Sequence, residues 1–455
     1  VAAHFLLRLF VGRRCSDSRL AAEDSLQIGI KSHTPVTSVI AWLIGIGLNF
    51  LRQIKSDMNQ VIHSPVVQLR FDDTAAAFAH KSNGQLRKSH LMFQLMNNPA
   101  LVNVGARIAE WAFRMHLPVA WVAKNTIYQQ FCGGETMAEV KQVIHELGRH
   151  HIKTILDYGV EGKASEGDFE RTANHLQQTL EFAREDSFIH IMSMKLSGLF
   201  RFALLEKVSQ MDTLSAAEAA EWQRGIDRVD RICGAAAESG ISIHVDAEHS
   251  WIQGAVDRIA WMMSERYNHG RPTVINAVQM YRTDRQAFLE SSLEHAQEHG
   301  YLCAVKLVRG AYMEKERARA AAMGYPDPIH ATLEDTHRAY NHALDFCLSH
   351  LGDIYVCNAT HNEASCRLMA ELMQRYHIPN NHPLTATAQL YGMSDNISYV
   401  MARAGFNVEK YLPYGPVREV IPYLIRRTRE NTSAGGQMSR ELGLLHRELL
   451  RRKAR

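Results

Sequence analysis

The 455-residue chain lacks a charge excess of either sign: 51 Lys+Arg stand against 48 Asp+Glu, a formal net charge of +3. Nucleic-acid binding leaves a concentrated basic footprint, so no nucleic-acid partner is expected and small molecules are the better candidates. Cysteine is sparse. The seven, at positions 15, 132, 233, 303, 347, 357 and 366, are odd in number and scattered, with no Cys-x-x-Cys pair. That pattern predicts a reducing compartment and no metal site. Long apolar runs are missing too. Val36 to Leu51 is apolar over 16 residues, short of the roughly 20 that a spanning helix needs, and it suits a signal-peptide core or a packed helix equally well. No GxGxxG follows a strand, so any dinucleotide is bound without a Rossmann unit. The absence of HExxH, Walker-loop and GxSxG patterns removes zinc-protease, P-loop and hydrolase readings.

What is present is ordinary globular sequence, 46% hydrophobic and 22% charged, which excludes a wholly disordered chain, a collagen or a coiled coil. The length is about three times the ~150 residues of an average domain, although α/β barrels exceed that as one unit. Residues 1–57 open on Val rather than Met and are set apart as a leader whose place in the functional protein is open. Arg8, Arg13, Arg14, Ser16, Ser18 and Arg19 resemble a mitochondrial leader, interrupted by Asp17, Glu23 and Asp24. The functional protein is expected to start near Met58.

A helical N-terminal subdomain is expected over 58–148. From Gln85 onward Leu86, Leu91, Phe93 and Leu95, then Leu101, Val104, Ile108, Trp111 and Phe113, recur at helical spacing. The texture then changes to eight short β-rich runs at 152–158, 189–196, 241–247, 273–279, 302–308, 354–360, 384–390 and 408–414. Amphipathic stretches separate them, among them Asp168 to Arg184, Ala216 to Ser239, Asp284 to His299, Leu333 to His350 and Glu363 to Tyr376. Eight βα units predict an α/β fold, a distorted (β/α)8 TIM-type barrel over 149–437, followed by a basic C-terminal helix at 438–455. Periodicity does not show closure, so an open doubly wound sheet stands as the alternative.

A barrel works at the C-terminal ends of its strands, and polar residues gather there. Run two ends in Lys195, run three in Asp246 and Glu248, run four in Gln279, and run five in Lys306 and Arg309. Run six ends in Thr360 and His361, run seven in Gln389, and run eight carries Tyr411. Any one of these alone reads as a solvated strand end or a salt bridge; seven together read as a polar pocket. After run eight, YLPYGPVREVIPYLIRRTREN (411–431) places Pro416 at a helix start. Tyr423, Arg426, Arg427 and Glu430 then fall on one helical face. An exposed ion pair is the plain alternative. Over a barrel mouth, paired guanidinium forks would instead clamp a small carboxylate, with Lys195 adding positive charge and Asp246 balancing it. In KLVRGAYM (306–313), Gly310 and Ala311 would let a flat ligand approach the backbone beside a cation.

The ordered set KLSGL (195–199), VDAE (245–248), KLVRGAY (306–312), ATHN (359–362), QLYGM (389–393) and the 411–431 segment resembles the proline dehydrogenase family, from about Gln85 to Gln437. The YGP and RRxxEN elements are similar to its single-function, animal-type branch rather than to the fusion with an aldehyde dehydrogenase. The resemblance implies noncovalent FAD at the barrel mouth and oxidation of L-proline to Δ1-pyrroline-5-carboxylate. It also implies a membrane quinone as electron acceptor and peripheral membrane contact. Lys195, Arg426 and Arg427 match positions that hold the proline carboxylate. Tyr312, Leu390, Tyr411 and Tyr423 match the wall around the ring, and Asp246 matches an acid supporting it. Gln279, Lys306, Val308, Arg309, Gly310, Ala311, Thr360, His361 and Glu430 match positions near the flavin or its phosphates. Two positions depart from the fusion proteins: Lys306 replaces an Arg and Met313 a Trp.

The implied location is the cytoplasmic side of the inner membrane in a bacterial host, or the mitochondrial inner membrane or matrix in a eukaryotic one. Three rivals remain at this stage. A 4-hydroxyproline dehydrogenase is disfavoured by the bulk of Tyr411, a Schiff-base barrel aldolase would use Lys195, and a noncatalytic carboxylate-binding scaffold would need no cofactor. The C-terminal stretch LLHRELLRRKAR (444–455) reads as a solvated helix, with contact to anionic lipid as its alternative.

Overall fold

A computed structural model of the chain describes residues 69–98, 124–158, 165–420, 424 and 437–454. All of them belong to the unit Ser64–Arg455. Eight parallel strands close into a barrel: β1 (Ile152–Tyr158), β2 (Ile189–Met194), β3 (Ser242–Val245), β4 (Val274–Gln279), β5 (Cys303–Val308), β6 (Ile354–Ala359), β7 (Thr385–Leu390) and β8 (Val408–Tyr414). Pairing of β1 with β8, from Ile152↔Val408 to Tyr158↔Tyr414, removes the open-sheet alternative. The strands match the apolar runs except at their ends. Lys195 and Asp246 lie just past β2 and β3, where the chain turns into the mouth loops.

The helices form where local chemistry starts and stops them. Ala216–Ser239 opens on a capping box in which Ser215 and Glu218 satisfy each other's backbone N–H. Ile226, Val229, Ile232, Cys233 and Ala236 recur at three- and four-residue spacing and are buried against the barrel. Gly240, at φ 72°, then ends the helix in the left-handed region. The other four expected helices occupy Glu166–Arg184, Arg285–His299, Leu333–Ser349 and Glu363–Arg375. Further helices lie at Phe202–Ser209, Ser250–Tyr267, Met313–Met323 and Asp395–Arg403.

Both faces of the sheet are covered, which is why the strands read as continuous apolar runs. Inside, Ile155, Ile191, Ile275, Ala304, Tyr355, Cys357, Ala386 and Ala388 fill the barrel. Outside, two larger apolar clusters join strands to helices. Helix Asn83–Met96 packs on the C-terminal helix Gln437–Lys453, sharing a core of Leu86, Phe93, Tyr128, Phe131, Leu444 and Leu445. The basic tail is largely engaged within the molecule: Arg451 and Arg452 each pair with buried Glu448 at 2.7 Å, and Arg452 also donates to the carbonyls of Phe78 and Lys81 at 2.8 Å. Leu101, Val104, Ile108, Trp111 and Phe113, expected to continue the N-terminal helices, lie outside the described residues.

One buried ion cluster ties these peripheral elements to the barrel. Lys410 points outward from β8 and meets Asp395, at the start of helix Asp395–Arg403, at 3.0 Å. Asp395 also accepts Lys81 at 3.0 Å and lies 3.5 Å from His80. Burial acts to raise the Asp395 carboxyl, but the Lys81 and Lys410 ammonium groups outweigh it and hold the pKa well below the ordinary carboxylate value. Asp395→Asn leaves the Lys81 and Lys410 ammonium groups with Glu441 as the acid nearby but without their ion-pair partner, and is expected to destabilise the fold by about 3–5 kcal/mol at neutral pH. Since the folded pKa is depressed, the wild-type advantage is complete above about pH 4 and shrinks as the pH falls further. Urea titrations of both proteins at several pH values check this, and a gap that widened on acidification would contradict it.

Candidate active site

Inward-facing side chains at the C-terminal strand ends form a charged layer on top of the apolar barrel filling. Lys306 of β5 reaches Asp246, past the end of β3, and pairs with its Oδ1. Tyr411 of β8 donates its phenol to Asp246 Oδ2 at 2.6 Å. The Lys306 ammonium also lies 5.4 Å from the centre of the Tyr411 ring. Lys195, past the end of β2, stands 3.4 Å from Asp157 Oδ1 of β1. Ser193 joins the two pairs: its hydroxyl donates to Asp157 at 2.7 Å and lies 3.0 Å from the Tyr411 hydroxyl.

Electrostatics keep this layer charged. Burial acts to raise the Asp246 carboxyl, but the ammonium groups of Lys306 and then Lys195, with hydrogen bonds from Lys306 and Tyr411, bring it below the ordinary value. Burial, helped by the carboxylates of Asp157 and Asp246, pushes the Tyr411 phenol well above its usual value, so it remains a donor. Asp157 and Ser193 were not singled out from the sequence. The available signal was the charged residue inside IKTILDY; Asp157 is the penultimate residue of that run, and attention to run ends passes over it.

The loops around the layer carry most of the remaining candidates. Gln279 ends β4, in register with Val308 of β5; the Val308 carbonyl accepts the Met280 N–H at 2.8 Å. Arg309 braces the next loop, donating to Thr360 Oγ1 at 2.7 Å, Ser365 Oγ at 3.0 Å and His337 Nδ1 at 2.9 Å, with its guanidinium 4.2 Å from the centre of the Tyr340 ring. His361 Nδ1 lies 2.9 Å from Ser394 Oγ. Gly310 and Ala311 lead into Tyr312, whose ring lies 4.4 Å from that of His249, itself stacked on Trp251. Leu390 ends β7 in register with Tyr411. Gln389 is buried and spent on the Thr360 carbonyl, Thr387 and Ser398, a bracing role. Glu248 accepts the backbone N–H and hydroxyl of Ser197 at 3.1 and 2.6 Å, linking two mouth loops.

Gly310 is also required by the protein's own packing. Its φ is +144°, and a Cβ there would lie 2.4 Å from the Tyr281 ring. An aromatic side chain of the protein itself makes a close approach to this backbone. Tyr423, Arg426, Arg427 and Glu430 lie outside the described residues; the helix they were assigned to is described at 417–420, following Pro416.

A family model described as proline dehydrogenase matches residues 140–440, well over half of the chain and all eight strands. The chain belongs to the proline dehydrogenase family. The carbapenem antibiotics biosynthesis protein CarD of Pectobacterium carotovorum subsp. carotovorum is 35% identical over 328 residues, covering 72% of this chain and 84% of its own. The mitochondrial proline dehydrogenase 1 of Dictyostelium discoideum is 30% identical over 427 residues, covering 84% and 74%. Hydroxyproline dehydrogenases of Xenopus laevis and Mus musculus are also among the relatives of this family member, at 29% and 30% identity. The crystal structure of proline utilization A from Bdellovibrio bacteriovorus, inactivated by N-propargylglycine, aligns with a TM-score of 0.61 at 19% identity, over 84% of this chain and 41% of that one. That likeness establishes the fold.

Membership of the proline dehydrogenase family implies a flavin cofactor, and the mouth residues fit one. Gln279 is buried, and its amide Oε1 has no hydrogen-bond partner among the described residues. A lone acceptor beside a strand that carries a cation suits a ring bearing both N–H and C=O groups. The layer itself yields a stability prediction. Asp246→Asn strands the buried Lys306 ammonium and should cost about 3–5 kcal/mol. Tyr411→Phe removes one hydrogen bond to a charged group and should cost less, about 1.5–3 kcal/mol. Denaturant unfolding of the two variants reads this order; the reverse order would mean that the ion pair is not what holds the layer.

Proposed function

We propose that the chain oxidises L-proline to Δ1-pyrroline-5-carboxylate with noncovalent FAD, the first step of proline catabolism, with a membrane quinone as the final electron acceptor. The observation that carries this is the buried Lys306–Asp246–Tyr411 triad beside Lys195, at the working end of a barrel that belongs to the proline dehydrogenase family. FAD would supply the two-electron acceptor for the hydride that leaves the carbon next to the ring nitrogen.

The protein's part is orientation. Lys195, together with Arg426 and Arg427, would hold the substrate carboxylate, and the fixed clamp would set which ring carbon faces the cofactor. Tyr312, Leu390, Tyr411 and Tyr423 would wall the pyrrolidine ring. Tyr411 is held at its hydroxyl by Asp246, so the wall is rigid on that side. No protein nucleophile is required. Lys195 is ion-paired with Asp157, which suits anchoring a carboxylate better than attacking a carbonyl, as an aldolase would demand. Lys306, Val308, Arg309, Gly310, Ala311, Gln279, Thr360, His361 and Glu430 would contact the cofactor.

The quinone implies peripheral contact with a bilayer: the mitochondrial inner membrane in a eukaryotic host, or the cytoplasmic side of the inner membrane in a bacterial one. The mitochondrial proline dehydrogenases of Dictyostelium discoideum and Homo sapiens among its relatives support the mitochondrial location for a eukaryotic source. Among the described residues no helix is long and apolar enough to cross a membrane.

Purified protein is expected to be yellow, with flavin absorbance that bleaches on anaerobic addition of L-proline; colourless protein that still binds proline analogues would replace the enzyme by a binding scaffold. Tyr411→Ala or Tyr411→Ser is expected to raise kcat/KM for 4-hydroxyproline relative to proline, and an unchanged ratio rejects the steric role of Tyr411. Arg426→Ala is expected to raise KM for proline by at least tenfold, the loss of about 1.4 kcal/mol of carboxylate binding. A KM equal to wild type removes Arg426 from the clamp.

A further inference from the structure

Beneath the charged layer three side chains from non-adjacent strands converge. His244 of β3, Cys357 of β6 and Glu409 of β8 are fully or almost fully buried, and their ligand atoms all lie within 4.8 Å of one another. Strands so placed in a closed eight-stranded barrel can bring side chains together only in its interior. Among the described residues neither ring nitrogen of His244 has a hydrogen-bond partner, and neither does Glu409 Oε2. Leaving buried polar atoms unmet costs about 1–3 kcal/mol each, so an unmet imidazole and an unmet carboxylate oxygen beside a thiol call for an occupant.

We infer that His244, Cys357 and Glu409 form a site for one borderline divalent transition cation, zinc in the first place, sealed inside the barrel. An imidazole, a thiolate and a carboxylate are the donor types that zinc accepts. A point midway between three atoms 4.8 Å apart is about 2.8 Å from each, so small side-chain rotations reach zinc bond lengths of about 2.0–2.3 Å. The cation neutralises the thiolate and carboxylate it binds, and both ligands lose their protons when it enters. Lys153 and Lys306 are the cations whose fields reach Glu409; Lys306 is already paired with Asp246.

The position gives the ion a purpose. His244 lies two residues before Asp246, Glu409 two before Tyr411, and Cys357 is the register partner of Lys306. Each ligand therefore sits one inward step below, or directly beside, a member of the charged layer. A strut across β3, β6 and β8 would fix the spacing of Asp246, Tyr411 and Lys306 from beneath. This assignment stands apart from the substrate proposal, since it concerns metal content.

The test is elemental analysis of the full-length holoprotein, purified without metal-affinity chromatography and dialysed against EDTA. The expected result is about one equivalent of zinc per chain, lost in Cys357→Ala and His244→Asn. Growth with cobalt, with a water as the fourth donor, should give tetrahedral d–d absorption in the red, clear of the oxidised flavin bands. Wild-type protein with no bound zinc and no cobalt spectrum overturns the site and makes the interior a water pocket, whether or not the variants fold. Surface residues Glu265, His295 and His299 form a second close group. Zinc that disappears in His295→Ala and persists in folded Cys357→Ala belongs there and equally overturns the interior site.

Discussion

The buried carboxylate of Asp246 is the constraint on which the working end of the barrel rests. A carboxylate inside a protein is unfavourable unless cations and hydrogen-bond donors surround it. Here a lysine from β5 and a phenol from β8 meet it inside the barrel, one at each carboxylate oxygen. The three strands are thereby committed to one spacing. Ser193 extends that commitment to the Lys195–Asp157 pair, so β1, β2, β3, β5 and β8 present a single connected polar surface. A ligand arriving there meets groups already held in place, which is the state that binding and catalysis both favour.

Much of this architecture is legible in the sequence because both faces of each strand are buried. The eight apolar runs follow directly, and β1 and β8 coincide with the runs at 152–158 and 408–414. Closure is not legible: a run of apolar residues is the same whether its strand has one neighbour or two, and the β1–β8 pairing spans more than half the chain. The helices Ser250–Tyr267 and Asp395–Arg403 are harder to pick out because their buried faces include Gln253, Asp257, Asn396 and Ser398, polar residues satisfied by hydrogen bonds within the helix or to other elements.

The site divides in a similar way. Lys195, Asp246, Lys306 and Tyr411 announce themselves as polar residues in or just after apolar runs, and the structure brings them into one layer. Ser193 does not, because a serine inside a strand resembles any small buried residue. The direction in which Arg309 spends its hydrogen bonds is equally hidden, since Thr360 and Ser365 are more than fifty residues away in the chain. The convergence of His244, Cys357 and Glu409 is invisible to any search by spacing: metal motifs are recognised when ligands are close in sequence, and these sit on three separate strands.

The joining of β1 to β8 has a consequence for how the protein is made. While the ribosome is still synthesising the middle of the chain, β1 carries an unpaired edge, the kind of surface that invites pairing with another molecule. It is covered only when residues 408–414 emerge. The helix Asn83–Met96 likewise waits for the C-terminal helix that packs on it. The barrel is therefore completed only once residues 408–414 and the helix Gln437–Lys453 have emerged, and during that interval the nascent barrel depends on chaperones or on speed to stay solitary.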